Sequence, residues 1–201
     1  MGNSTPERHG KDGLPIIAFA DDGAWESWLA EHHAEQPGVW LKLAKKGSGT
    51  PTVTYAEAVA TALCLGWIDS QKGSYDSAWW VQRFTPRRAP SVWSQVNRTT
   101  IAALVDAGRM RPAGTAAVDV AKRNGRWERA NAPQGTASVP DDLRIALDAD
   151  QRAAAAFEGL NGANRYAILY RVRDAKRPET RVRRIPPSSR CSPAGRRSTR
   201  S

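Results

Sequence analysis

The sequence is dominated by residues 66–97, which read Gly-Trp-Ile-Asp-Ser-Gln-Lys-Gly-Ser-Tyr-Asp-Ser-Ala-Trp-Trp-Val-Gln-Arg-Phe-Thr-Pro-Arg-Arg-Ala-Pro-Ser-Val-Trp-Ser-Gln-Val-Asn. This stretch holds four of the eight tryptophans of the chain, together with Asp69, Arg83 and Arg87. A charge buried among large apolar side chains must be paired, or its pKa shifts until it is neutral. The stretch therefore predicts either a core hairpin held by an Asp–Arg pair, or a ligand pocket with tryptophan walls and an arginine facing an anion.

The order of side chains within this stretch predicts a β-hairpin followed by a helix. Residues 67–72 and 78–85 have the composition and rough alternation of strands, and Gly73-Ser74 is typical of a turn. Pro86 ends the second strand because it has no N–H to donate. Ser91 is a suitable N-cap for the helix that follows.

The flanking segments complete a predicted α+β domain over residues 16–130. Residues 38–46 alternate apolar and polar side chains and predict another strand of a small antiparallel sheet, while residues 16–19 form a short strand or a lead-in. Thr54-Tyr55-Ala56-Glu57 has the form of a helix capping box, and Gly66 is a suitable left-handed stop. Helices that pack on the sheet are predicted over residues 23–35, 55–65 and 91–107, and a further helix is predicted over residues 112–124.

Composition divides the rest of the chain. Residues 1–15 are polar and rich in Gly and Pro, which predicts a disordered N-terminal tail. Residues 131–140 read as a linker, and residues 141–185 as a C-terminal helical segment whose helices open near Asp141, Asp150 and Gly162. Residues 186–201 read as a disordered basic tail, and a shift of the reading frame near Ile185 is the alternative origin of that tail.

The net charge of +10 is concentrated at the C-terminal end. Residues 171–201 contain eleven Lys and Arg and two acidic residues, whereas the rest of the chain contains nineteen basic and eighteen acidic residues. A nucleic-acid interpretation therefore depends on the tail. No apolar run approaches the roughly 18 residues of a spanning helix, and the N-terminus lacks an apolar signal segment. The chain is therefore expected to be soluble and cytoplasmic, without membrane insertion.

Three linked motifs in the 66–97 stretch carry a resemblance to a known family. Gly66-Trp67-Ile68-Asp69, residues 82–88 and residues 91–97 resemble the signature of the YdeI/OmpD-associated family, also called bacteriocin-protection proteins. The resemblance runs from about Trp25 to about Ile185 and includes Asn164-Arg165-Tyr166 and residues 176–181. It implies protection against bacteriocins or cationic antimicrobial peptides and, through the porin in the family's name, a partner linked to the cell envelope.

No set of catalytic residues is readable from the sequence. The chain has no Gly-x-Ser-x-Gly, His-Glu-x-x-His or dinucleotide-binding pattern, and its three histidines all lie outside the 66–97 stretch. No metal and no cofactor are expected. We therefore expect a non-enzymatic binding protein of a bacterial stress or defence response. Its candidate site, for a small polar molecule or a peptide, contains Trp67, Asp69, Lys72, Arg83, Phe84, Arg87, Trp93 and Asn97.

Other classes of function stay open at this point. A nucleic-acid-binding protein would use the Arg and Trp of the hairpin and the basic tail, and its affinity would fall steeply with salt. An enzyme would use Asp69 as base and Arg83 or Arg87 as electrostatic stabiliser. A structural or partner-docking domain is the third alternative. In each case Asp69 is expected to pair with Arg83 or Arg87.

Overall fold

The computed structural model describes residues 7–9, 12–132, 135–175 and 177–185. The chain divides into two compact units, Met1–Ala130 and Asn131–Ser201. The described residues contain a four-stranded sheet and eight helices, which confirms the predicted α+β class. In chain order the elements are β1 (Ile16–Ala18), α1 (Asp22–His32), β2 (Val39–Ala44), α2 (Tyr55–Cys64), β3 (Trp67–Ser74), β4 (Trp79–Pro86), α3 (Gln95–Asp106), α4 (Pro112–Arg123), α5 (Asp141–Asp148), α6 (Gln151–Glu158), α7 (Gly162–Asp174) and α8 (Pro178–Arg184).

The sheet has the strand order β1-β2-β4-β3. The three predicted strands β2, β4 and β3 pair in antiparallel fashion, as expected. The short strand β1 adds to β2 in parallel, with Ile16 opposite Trp40, so that the sheet is mixed. A register shift between Asp69 and Lys72 extends β3 to Ser74, through the residues predicted as the turn. The turn comes later because the Asp76 carboxylate accepts hydrogen bonds from the backbone N–H groups of Ala78, which precedes β4, and of Trp79, its first residue.

One face of the sheet carries the main core of the first unit. Trp25 and Leu29 of α1 are fully buried against Phe84 of β4 and against the inward side chains of β2. The indole Nε1 of Trp25 donates to the carbonyl of Ala58 in α2 at 3.1 Å, so the burial of this side chain leaves no polar group unpaired. Aromatic packing thus fixes α1 and α2 on the same face.

The opposite face is covered by part of the N-terminal segment. Leu14 packs with Trp40 and Val81, and the Asp12 carboxylate accepts from Trp40 Nε1 at 3.0 Å and from Arg83 Nε at 2.9 Å. For residues 7–9 and 12–15 the structure thus differs from the predicted disordered tail. The composition of this segment is polar, but its two anchoring side chains have their partners on strands far along the chain.

Helices α2 and α4 meet backbone to backbone. The predicted capping box at the start of α2 is present, and Gly66 after its end has the left-handed φ of 74°. Gly114 of α4 lies so close to the end of α2 that an added Cβ would be 2.2 Å from the carbonyl oxygen of Cys64. The backbone N–H of Arg111 donates to the same carbonyl. Glycine at position 114 is therefore required for this contact.

Helix α3 begins later than predicted. Its N-cap is Ser94, whose hydroxyl accepts from the backbone N–H of Asn97, and not Ser91. The Ser91 hydroxyl instead accepts from the N–H of Arg88 and closes a turn after β4. Either serine could cap the helix chemically. Ser94 is the cap because Trp93 stays outside the helix, where its side chain packs in the buried cluster with α2, α3 and α4.

The second unit is helical in its described residues. Asp150 and Asn161 cap α6 and α7 at the predicted places. The core consists of Leu143, Phe157, Leu169 and Val172. Arg181 of α8 donates through Nε and Nη2 to the two carboxylate oxygens of Asp142 in α5, and through Nη1 to the carbonyl of Val172 at 3.0 Å.

Two expectations remain at this point. The predicted basic tail over residues 186–201 and its frame-shift alternative lie outside the described residues. In the described part of the chain, no helix has both the length and the apolar character needed to cross a bilayer. Cys64 carries a free thiol and is buried in the apolar helix α2.

Candidate functional site

The residues of the predicted site lie in several separate places. Arg83 and Phe84 are neighbours on β4 and therefore point to opposite faces of the sheet. Phe84 is fully buried in the main core, and Arg83 forms an ion pair with Asp12 on the other face. Neither side chain faces Asp69.

Asp69 and Lys72 lie at the edge strand β3. Asp69 Oδ2 accepts from the hydroxyl of Tyr55 at 2.6 Å, and Lys72 Nζ lies 4.3 Å from the centre of the Trp80 ring. Desolvation first, and then the hydrogen bond to Asp69, raises the pKa of Tyr55. The sequence analysis did not include Tyr55, because a tyrosine in the first turn of a helix carries no signal of a partner 14 residues away.

The predicted ion pair of Asp69 with Arg83 or Arg87 is wrong. Within the residues that the structure describes, Asp69 takes part in no ion pair. The reason is the register, which places Asp69 opposite Phe84 so that Arg83 faces away. Arg87 lies beyond the end of β4, where the chain turns toward Trp93.

Three of the predicted residues, Trp67, Arg87 and Trp93, line one cavity of about 340 Å³, which we call the Arg87 cavity. Asn97 lies outside its lining, in the first turn of α3. The wall is largely apolar and comes from the end of α2, the segment after β4 and one side of α4. The lining residues are His33, Leu65, Gly66, Trp67, Pro86, Arg87, Arg88, Ala89, Trp93, Ala113, Ala116, Ala117, Val120 and Ala121.

The Arg87 guanidinium is held in a fixed orientation. Its central carbon lies 3.7 Å from the centre of the Trp93 ring, and Trp93 is itself only 3% exposed. Arg87 Nη1 donates to the backbone carbonyl of Val92 at 3.0 Å. Stacking on an indole and one hydrogen bond together define both the plane and the rotation of the group.

The other two nitrogens of this guanidinium lack partners. Arg87 Nε and Nη2 are buried and make no hydrogen bond to any described residue. Burial lowers the pKa of Arg87 to about 10, and the charge of Asp69 opposes this shift. The group is therefore still protonated at pH 7. A buried charged donor without a partner costs about 1–3 kcal/mol or more. Native structures keep such costly groups mainly at functional sites, where a ligand supplies the missing partner.

A second cavity of about 630 Å³ lies beside α1 and the start of α4. Its cationic side chain, Arg111, already donates to Glu26 Oε1 at 2.9 Å. The charge at this cavity is thus met within the protein. At the Arg87 cavity, by contrast, the Nε and Nη2 donors of the cationic group have no partner.

Sequence reasoning missed the α4 wall of the Arg87 cavity. Ala113, Ala116 and Ala117 line the cavity with small side chains, and the first and last of them approach Gly66 closely. The signal was the run Pro-Ala-Gly-Thr-Ala-Ala at residues 112–117, in which small residues recur at helical spacing. Such a run is also typical of plain helix–helix packing, so it indicates a cavity only once the neighbouring chain is known.

The described residues contain no cluster of three or more His, Cys, Asp or Glu side chains that could hold a metal ion. The chemistry at the Arg87 cavity is instead that of one fixed cation beside an apolar wall, with two unpartnered N–H donors that neighbouring atoms cover. This arrangement fits recognition of an anionic group.

Comparison with known families divides the chain in a similar place. Residues 17–117, half of the chain, match the family model described as Domain of unknown function (DUF8412), and the chain belongs to this family. Residues 136–186 match the family described as Bacteriocin-protection, YdeI or OmpD-Associated, which confirms the resemblance for this part of the chain. No curated protein and no solved structure matches.

The extent of the resemblance differs from the prediction. The 66–97 stretch, whose motifs suggested the YdeI/OmpD-associated family, lies inside the first match and not the second. The C-terminal motifs, by contrast, fall within the second match. In that part Arg181 holds Asp142, and the Tyr166 hydroxyl donates to the carbonyl of Ala132 at 3.1 Å, so these motif residues support the helical fold.

Proposed function

We propose that this chain is a soluble, cytoplasmic bacterial binding protein of a stress or defence response, and that its Arg87 cavity holds a small acidic ligand. The similarity of residues 136–186 to bacteriocin-protection proteins supports the role in defence. The observation that carries the ligand site is the pair of buried, unpartnered donors, Nε and Nη2 of Arg87, at a cavity of about 340 Å³.

The electrostatics of the cavity favour an anion. A cation removed from water loses hydration, and the loss is offset only when an opposite charge or further hydrogen bonds replace it. Arg87 receives one backbone carbonyl, one indole face and the more distant charge of Asp69, and its lowered pKa indicates that part of this loss stays uncompensated. An acidic ligand supplies the missing charge and two acceptors at once.

The size of the cavity favours a small molecule. Ligand cavities in proteins range from roughly 300 to 1,000 Å³, and this one lies at the lower end. A larger partner would have to insert a narrow acidic group, such as the end of a peptide. The apolar wall adds affinity for a compact hydrocarbon body.

The test is a panel of small acids, measured by thermal shift and by calorimetry at pH 7. The panel contains acetate, butyrate, benzoate, inorganic phosphate and phenylphosphonate. We expect at least one of these to bind wild type and to lose binding in Arg87→Met. The matched control is Arg123→Met, which removes the same charge from an exposed position of α4.

The alternative classes give different results. A nucleic-acid-binding protein would bind single-stranded oligonucleotides with an affinity that falls steeply with salt, whereas the binding of a small acid in a shaped cavity should respond little to salt. Absence of binding by every acid of the panel, or equal loss in both variants, would contradict the proposed function.

A further inference from the structure

The two unpartnered nitrogens of Arg87 belong to the same edge of the guanidinium. Nε and Nη2 point their hydrogens in nearly the same direction, and this edge forms two parallel hydrogen bonds to a planar group with two oxygens. The remaining nitrogen, Nη1, is already used by the Val92 carbonyl. The free part of Arg87 is therefore a complete bidentate edge, and not a single spare donor.

The same chain contains this edge in its occupied form. Arg181 uses Nε and Nη2 for the two oxygens of the Asp142 carboxylate and Nη1 for the backbone carbonyl of Val172. Arg87 likewise donates to a backbone carbonyl through Nη1, but its Nε and Nη2 have no partner. What Arg87 lacks, in comparison with Arg181, is a carboxylate.

The surroundings of Arg87 limit the charge of the ligand. Besides Arg87, the lining contains one other arginine, Arg88, which is exposed, and His33, whose Nδ1 lies 3.0 Å from the carbonyl of Leu29. The remaining lining side chains are apolar. The two donors of the buried Nε/Nη2 edge match the two oxygens of one carboxylate. The second charge of a dianionic phosphate or phosphonate would be left to Arg88, whose exposed guanidinium adds little to an ion pair.

The body of the ligand is defined by the opposite wall. Ala113, Ala116 and Ala117 of α4 contribute methyl groups to the lining, and the guanidinium is held on the face of the Trp93 ring. A compact apolar body attached to the carboxylate would therefore remove these surfaces from water.

We infer that the ligand of the Arg87 cavity is a monocarboxylic acid with a compact apolar body, bound through the unpartnered Nε/Nη2 edge of Arg87 once the atoms that cover this edge move aside. This inference rests on the proposed function and narrows it to one chemical class. It also makes the planarity of arginine essential, since lysine retains the charge but offers a point donor instead of an edge.

The experiment compares three probes that share a phenyl ring, namely benzoate, phenylphosphonate and the neutral benzamide, by calorimetry at pH 7. We expect benzoate to bind at least about tenfold more tightly than either of the others, since a tenfold ratio corresponds to roughly 1.4 kcal/mol, about one charged hydrogen bond. Arg87→Lys should lose at least about tenfold of the benzoate affinity although it retains the charge.

A second variant tests the apolar wall. Ala116→Leu is placed at an exposed position of α4 that lines the cavity, so that the helix tolerates it while the cavity becomes smaller. We expect weaker benzoate binding and an unchanged melting temperature without ligand. Thr115→Leu, the exposed neighbour that does not line the cavity, is the matched control.

The outcomes separate the two proposals. If phenylphosphonate binds as tightly as benzoate, or if Arg87→Lys binds benzoate as wild type does, the carboxylate inference is wrong while the acid-binding function stands. If none of the five acids of the panel binds, inorganic phosphate included, the proposed function fails together with it. Equal binding of benzamide and benzoate would show that the cavity recognises the ring and not the acid.

Discussion

Two arginines, Arg87 of the first unit and Arg181 of the second, show what a carboxylate partner contributes to the same side-chain geometry. Arg181 lies about one-third exposed, and the Asp142 carboxylate fills its Nε/Nη2 edge. Arg87 is more deeply buried, yet its corresponding edge is empty. Burial makes the charge of Arg87 the more costly of the two, yet Arg87 has fewer partners than Arg181. Folding stability alone would favour the reverse.

The pKa values follow the same contrast. The hydrogen bond from Arg181 is the main cause that lowers the pKa of Asp142, and the same bond raises the pKa of Arg181. Desolvation instead lowers the pKa of Arg87 to about 10. The Asp142–Arg181 pair therefore contributes to folding stability at neutral pH, whereas the buried charge of Arg87 reduces it.

The largest expected effect concerns the wall of the Arg87 cavity. Gly114→Ala would place a methyl group 2.2 Å from the carbonyl oxygen of Cys64, so α4 must move away from α2. We expect a loss of about 2–3 kcal/mol in the free energy of unfolding of the first unit, together with loss of acid binding. All eight tryptophans lie between residues 25 and 127, so tryptophan fluorescence during urea unfolding reports on this unit.

The control for this variant is Gly23→Ala in α1 of the same unit. Its added methyl group meets nothing closer than Asp21 Oδ1 at 3.4 Å, and alanine is favoured over glycine in a helix. Unchanged or slightly higher stability is expected there. Equal midpoints for the two variants would show that the close approach of α2 and α4 does not build the cavity.

The second prediction concerns a variant in which Arg181, like Arg87, lacks a carboxylate partner. Asp142→Asn leaves a neutral side chain opposite the guanidinium, and we expect a loss of about 1–2 kcal/mol, because hydrogen bonds between charged groups are strong but this pair is one-third exposed. Far-UV circular dichroism follows the change, since the second unit has no tryptophan. Asp141→Asn, at the neighbouring and 82% exposed position, should change stability by no more than about 0.5 kcal/mol.

The free energy of unfolding at acidic pH gives a stricter test of this second prediction. Because the pKa of Asp142 is lowered in the folded state, its contribution is fully present above its unfolded pKa of about 3.9. The contribution is lost as the pH falls below that value through the folded pKa. The unfolding free energies of wild type and Asp142→Asn should therefore converge toward low pH. A constant difference between them at every pH would mean that the carboxylate charge is not the cause.

The smallest effect is expected for Arg87 itself. Arg87→Met removes a buried charge that has one hydrogen bond, and methionine still covers Trp93, so the free energy of unfolding should change by no more than about 1 kcal/mol, toward greater stability. Urea unfolding followed by tryptophan fluorescence measures it. A loss as large as that of Asp142→Asn would mean that Arg87 is held by structural partners, and that its edge is not reserved for a ligand.

Much of the fold could be predicted from local patterns. The capping box at Thr54, the stop at Gly66 and the caps at Asp150 and Asn161 depend on residues within a few positions of each other. The strands β2 and β4 were readable from side-chain alternation. The N-terminal segment was not readable, because Asp12 finds its partners 28 and 71 residues away.

The candidate site was predictable only in part. The 66–97 stretch correctly drew attention to Trp67, Arg87 and Trp93, since tryptophan beside arginine requires an explanation in any fold. Asp69 and Arg83 carried the same signal, yet they lie with other partners, Tyr55 and Asp12. A one-residue step along a strand reverses the face, so composition alone does not decide which charged groups meet.

The sequence by itself determined the helices, the three main strands and the presence of buried charge among tryptophans, because these depend on chemistry within one turn or one strand. Only the tertiary structure decided which arginine received a carboxylate. Arg181 meets Asp142 because α5 and α8 pack together, and Arg87 meets none because the register of β3 turns Asp69 toward Tyr55. Small residues on α4 then leave the space beside Arg87 open. Contacts between distant segments depend on the packing of whole elements, and no local pattern encodes them.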